Sequence, residues 1–464
     1  MKSGFVIFVF ILWVLTVVSC KSSSDEDGMD GGDDGGMTAD AEADVNDGGH
    51  EAGSDGDADS DTDIDIDIDM DADTDTDTDF CVGKSDFSPC TRITNPDRDY
   101  DICINEECVS PGCGAGACNV SGPHFAIPDT GQKNCYEDEV DGGAVQCPGD
   151  AGSPDCGMIA FCGQDAQYGS DALPGSGSRF TRNLDISDQP VVSDNVTKLM
   201  WQGCNAGNMG SDCSQWDPDS PAGATYDYAV QHCDSLEWGG YDDWHLPDEY
   251  ELQSIVNYSR KEPPIDPVAF PGTVSQLTWT SSTYDESHGD GLVISFQNGQ
   301  IDCWDKTWAQ YFRCVRSGNS DVGDRYSRTA PDPQNHPLEY VVEDELTGLT
   351  WQGCASGLWS IGCAGTPEEY NWQEALSYCQ NLSWAGFNDW YLPNVTELFS
   401  ITTATTYLPS ADRDMFPSTP AGAFWSSTTD VENTSYARTV GFSTRTSRTY
   451  YKTGHAYVRC ARTD

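Results

Sequence analysis

Basic residues are scarce in this chain. Its 464 residues hold 23 Lys and Arg against 77 Asp and Glu, a formal net charge of −54. That balance argues against nucleic acid as a partner, because phosphate affinity comes from clustered cations that release counterions. Histidine is nearly as rare, at seven, and neither HExxH nor GxSxG occurs, so no catalytic residue is assigned. CxxC spacing is missing too, although there are 20 cysteines. Disulfides in an oxidising compartment are therefore expected rather than zinc sites, with no metal or other cofactor implied. Apart from Phe5 to Val18 there is no long apolar run. That run follows Lys2 and is too short for a comfortable membrane span, the pattern of a signal peptide.

The run closes on Val17-Val18-Ser19-Cys20, which resembles a bacterial lipobox. The resemblance implies that residues 1–19 are removed and that Cys20 is lipidated; the alternative is cleavage elsewhere, with Cys20 an incidental thiol. Lys21, rather than Asp, after the cysteine implies the outer membrane, and a lipid-anchored, surface-exposed chain is expected. Residues 20–80 are rich in Asp and end in DTDIDIDIDMDADTDTDTD (61–79). Such a tract repels itself and has little to bury, so it is expected to be a disordered tether. A neutral chain of that length would span roughly 40–45 Å. A calcium loop fails on detail, since Ile66 or Ile68 stands where the bidentate Glu must sit. Residues 81–178 carry ten cysteines, from Cys81 to Cys162, with little apolar content, and read as a disulfide-stapled segment whose later part packs on the domain that follows.

The rest of the chain is written twice. Residues 238–252, WGGYDDWHLPDEYEL, return 146 positions later as 384–398, WAGFNDWYLPNVTEL. Upstream the offset becomes 150, so that LMWQGC (199–204) matches LTWQGC (349–354). Two domains are expected, 179–318 and 325–464. In each, a β-hairpin is followed by a helix (Tyr226 to Leu236; Trp372 to Leu382), and Pro247 or Pro393 introduces a second helix with an Asx-x-x-Glu capping box. Several short antiparallel strands close the domain. The expected class is α+β, two helices packed on antiparallel strands in each of two disulfide-stabilised domains. Repeated cysteines suit a local clip, Cys204 with Cys213 and Cys354 with Cys363, and a long bridge, Cys233 with Cys314 and Cys379 with Cys460. Cys303 has no counterpart and is either an odd thiol or a bridge to the Cys-rich segment.

TGLTWQ, A-x-x-x-C, the Gly-x-x-Asp-Trp-x-Leu-Pro stretch, Trp-[TS]-Ser-[ST] and the closing Arg-Cys-x-Arg together resemble the Lcl C-terminal domain family, named after the Legionella collagen-like adhesin. The resemblance implies an exported bacterial protein, and its namesake binds sulfated glycosaminoglycans as a trimer. No collagen-like tract is present here, and the acidic tether takes the spacer's place. The long cystine is also similar to the bridge of C-type-lectin-like folds.

Residues shared by both copies most simply hold the fold, so Trp244, Trp279, Trp390 and Trp425 are expected in the core, with sugar stacking as the alternative. The copies differ most near the end of the second, where Arg438, Arg445, Arg448 and Lys452 stand beside Tyr450 and Tyr451. Arg forks recognise sulfate and carboxylate, and Tyr faces stack on sugars, so these six form the candidate site for an anionic polysaccharide or glycosaminoglycan-like ligand. Solvated charges guarding a strand edge are the bland alternative. The functional expectation is a surface-anchored, adhesin- or lectin-like lipoprotein; the other class is an envelope structural or protein-interaction module without a glycan site.

Overall fold

The computed structural model describes residues 127–136 except 133, 162–168, and 178–463 except 187, 285, 286, 288, 317–324, 405 and 407, with the strand backbones at 89–90, 101–104, 107–109 and 144–146. The expected signal peptide, Cys20, the tether and most of the Cys-rich segment lie outside these residues.

In the first copy β1 (Phe180–Asn183), β2 (Val191–Asp194) and β3 (Met200–Gln202) precede α1 (Tyr226–Asp234) and α2 (Glu249–Ser254), and β4 (Leu277–Thr283), β5 (Asp290–Ser295), β6 (Ile301–Asp305) and β7 (Val315–Arg316) complete it. The second copy repeats the order. It runs β8 (Tyr326–Thr329), β9 (Val341–Asp344), β10 (Leu349–Gln352), β11 (Glu369–Tyr370), α3 (Trp372–Gln380) and α4 (Val395–Ser400). Then come β12 (Ala423–Thr429), β13 (Tyr436–Gly441), β14 (Thr446–Tyr451), β15 (Ala456–Tyr457) and β16 (Ala461–Thr463). The expected pair of helices is present in each copy, but they are short and the fold is mostly β. The strands are not all antiparallel either, because β12 pairs with β15 in parallel.

Local chemistry accounts for the helices. Tyr226, Ala229, Val230 and Cys233 are buried on one stripe of α1, as are Trp372, Ala375, Leu376 and Cys379 on α3. Asp248 with Glu251, and Asn394 with Glu397, form the reciprocal caps that start α2 and α4. The four repeated cystines form as the spacing suggested, two across 9 residues and two across 81. Cys303 is disulfide-bonded as well, which removes the odd thiol.

Each copy closes a four-stranded sheet on itself, β7-β3-β2-β1 and β8-β9-β10-β16. Its other strands belong to a sheet of eight, β4-β5-β6-β14-β13-β12-β15-β11, that runs through both copies. The copies join where β6 meets β14, antiparallel, with Ile301 opposite Ser447. Those two residues are counterparts at the offset of 146, so a pseudo-two-fold axis passes through the pair. Directly paired residues project to one side of a sheet, and corresponding faces of the copies therefore look the same way. Across that axis α2 meets α4: the Tyr250 ring lies 5.5 Å from Phe399, and its hydroxyl donates to the Thr402 carbonyl at 2.7 Å. One apolar core spans both copies, including Val192, Leu252 and Ile294 with Val342, Leu398 and Phe424.

The segment before the first copy was expected to pack on that copy. It straddles both. Gln132 donates to the carbonyls of Tyr258 and Thr429, Tyr168 stacks on Tyr391 at 4.4 Å, and Asp165 accepts from Thr130 and Thr428 at 2.8 and 2.7 Å.

Candidate functional site

The hairpin β13–β14 carries the six residues singled out as an anion site, and the structure does not leave it as an open basic edge. It is the seam. Arg438 is 3% exposed, lies over the Tyr258 ring and donates to the Asn298 carbonyl. Arg445 is buried 3.2 Å from Glu249 of the first copy and donates to the Thr283 carbonyl. Arg448 meets Asp302 at 2.8 Å with its side chain about a third exposed. Lys452 is buried, its Nζ 3.0 Å from the Thr429 hydroxyl and 3.8 Å above the Trp372 ring. Tyr450 packs on Trp425, and only Tyr451 offers most of its ring to solvent, tilted against Tyr436 with centroids 4.0 Å apart. Burying a guanidinium demands a partner, and the first copy supplies those partners as carboxylates and carbonyls. The cluster is thus divided between interior contacts and a seam ion pair rather than assembled for a ligand.

Tryptophan sorts differently. Eight tryptophans occupy positions common to both copies, Trp201, Trp238, Trp244 and Trp279 with Trp351, Trp384, Trp390 and Trp425, and all are buried. Several also anchor the backbone: Trp279 donates to the Ala224 carbonyl and Trp425 to that of Tyr370, at 2.9 and 2.7 Å. Core packing, not sugar stacking, is their role. Flanking arginines repeat as well. Arg313 and Arg459 reach into the core to the carbonyls of Gln202 and Gln352, while Arg316 and Arg462 pair with Asp243 and Asp389.

This doubled scaffold coincides with the model of the Lcl C-terminal domain, which matches residues 190–316 and 340–462, more than half of the chain. The chain belongs to the Lcl C-terminal domain family. The family is that of an adhesin-like surface protein. Comparison with curated proteins gives no match.

What the two Lcl domains do not share is on their rims. Trp216, Trp308 and Trp359 have Thr366, Gly454 and Met209 at the corresponding positions, and all three are more than half exposed. Trp216 and Trp359 belong to the two-stranded hairpins that the short cystines clip, where Trp216 faces Asn208 and Trp359 faces Ala364. Beside Trp359 lie Ile361 and Leu338, also exposed, the latter held by the Ser360 amide at 3.1 Å. Trp308 stands edge-on to the half-buried Trp304 at 6.2 Å. Sequence reasoning passed over these three, although a partial signal was present: they are among the five tryptophans that only one copy carries, the others being Trp304 and the buried Trp372.

Buried acids collect on the other face. Burial pushes the Glu397 carboxyl up to about 7, while the Asn394 amide and Tyr391 hydroxyl hold it down. Burial, and then Asp129, hold the Asp165 carboxyl well above its ordinary value. In the first domain His245 takes the place of Tyr391; burial alone would lower its pKa, but Glu251 at 3.1 Å and Asp234 raise it. These groups serve packing contacts, and no cluster that could hold a metal is present among the described residues.

Proposed function

We propose that the protein is a cell-surface receptor for polysaccharide, held in the outer membrane by lipid on Cys20, displayed on the 20–80 tether, and binding through the bare tryptophans on the rims of its Lcl domains. Among the described residues no helix is long and apolar enough to cross a membrane, which suits an anchor at the N-terminus. The observation that carries the binding assignment is the division of the tryptophans. All eight shared ones are buried; of the five that only one copy carries, Trp372 is buried and Trp304 half-buried, while Trp216, Trp308 and Trp359 stand in water, where a large apolar ring is useful chiefly as a contact. With Arg438, Arg445 and Lys452 engaged inside and a strongly acidic chain around them, sugar faces rather than sulfates are the better chemical match. No chemistry on the ligand is proposed.

Glycan-array binding by the full-length exported protein, beside Trp216→Ala, Trp308→Ala and Trp359→Ala, tests this. At least one substitution should weaken binding roughly tenfold, the order of a tryptophan contact at an interface, without changing the melting temperature. No binding to neutral or acidic glycans, or binding indifferent to all three changes, would sink the assignment. The apolar patch of Leu338, Trp359 and Ile361 favours the second function, a contact with another envelope protein. That outcome would leave the array blank while Trp359→Ala still released a co-purifying partner.

A further inference from the structure

We propose that the seam between the two domains is a two-fold dimer interface rendered heterotypic by charge, so that the first domain accepts only the second as its partner. The register places counterpart strands and counterpart helices against one another about an axis through Ile301 and Ser447, the arrangement of an isologous dimer. On a true axis each residue near the centre would meet its own copy. Here Asp302 meets its own counterpart, Arg448, at 2.8 Å. A pair of first domains would bring Asp302 against Asp302, and a pair of second domains Arg448 against Arg448.

The buried positions discriminate in the same sense. Glu249 corresponds to Val395, and Arg445 to Gly299, so either homotypic pairing buries two charges with no opposite charge in reach. Arg438, whose counterpart is Leu292, also donates across the seam to the Asn298 carbonyl, a main-chain contact that adds no preference of its own. At both ion pairs the difference between the domains is complementary, an acid of the first facing a base of the second.

No disulfide ties the halves, because the cysteines beyond residue 325 pair among themselves as Cys354–Cys363 and Cys379–Cys460. The full-length protein carrying a protease site between Arg316 and Arg325 can therefore be cut after folding and examined without reductant. The cut halves should remain a one-to-one complex at micromolar concentration, with no homotypic pair in native mass spectra. Arg448→Asp should weaken that complex about tenfold, Asp302→Arg similarly, and the double exchange Asp302→Arg with Arg448→Asp should recover most of the loss. Because this ion pair is partly exposed, all three variants are expected to fold. Halves that separate after cutting, homotypic pairs, or a double exchange as weak as the sum of its parts would each overturn the proposal. Glycan binding by the uncut protein is a separate readout, so failure here and failure of the polysaccharide assignment are distinguishable.

Discussion

Arg445 stands in the left-handed region at φ 50°, where its counterpart in the first domain is Gly299 at φ 79°. A side chain there is strained by about 1–2 kcal/mol, and the ion pair with Glu249 offsets it. Arg445→Ala should keep the strain, strand the buried Glu249 carboxylate and lower unfolding stability by roughly 3–5 kcal/mol in denaturant titration. A loss below 1 kcal/mol would show that the seam does not depend on the pair. The same residue explains why the arginines misled at the sequence level. A cluster of cations in an acidic chain has identical letters whether it awaits an anion from outside or a carboxylate from the neighbouring domain. Tryptophan was more legible, because all eight repeated ones build the fold, although the unrepeated Trp372 is buried as well.

Elements were legible where local chemistry decides them. The Asx-x-x-Glu boxes before α2 and α4 and the buried stripes of α1 and α3 follow from spacing alone. Cystine pairing followed from repetition, and the two kinds of bridge differ in the chain they constrain. Removing Cys379–Cys460, separated by 81 residues, should cost about 4 kcal/mol, against roughly 2.5 kcal/mol for the clip of 9 residues at Cys354–Cys363. Thermal melts of the two Cys→Ser double variants check the order. If the short clip proved the costlier, native packing around the hairpin, rather than loop entropy, would be its main contribution. The parallel pairing of β12 with β15 had no local signal, since two residues of β15 suffice to make it.

At the scale of the molecule, the acids beneath the N-terminal segment tie stability to pH. Glu397 titrates near 7 in the folded protein, above its ordinary 4.5, so the folded state holds a proton that the unfolded chain releases. Its contribution is complete below about pH 4.5 and is lost as pH rises through 7, a difference on the order of 3 kcal/mol. Raised Asp165 and His245 act in the same direction. The melting temperature should therefore fall between pH 5 and 8, and Asp165→Asn should flatten that slope; an unchanged slope would remove Asp165 from the account. By itself the amino-acid sequence determined the duplication, the cystines, the helix caps and the family, because each rests on periodicity or on contacts within one domain. Tertiary structure alone decided that the domains share one sheet, that the segment before them spans both, and that the arginines face inward. Those outcomes depend on which surfaces meet across 146 positions of chain, and no local pattern encodes a partner that distant.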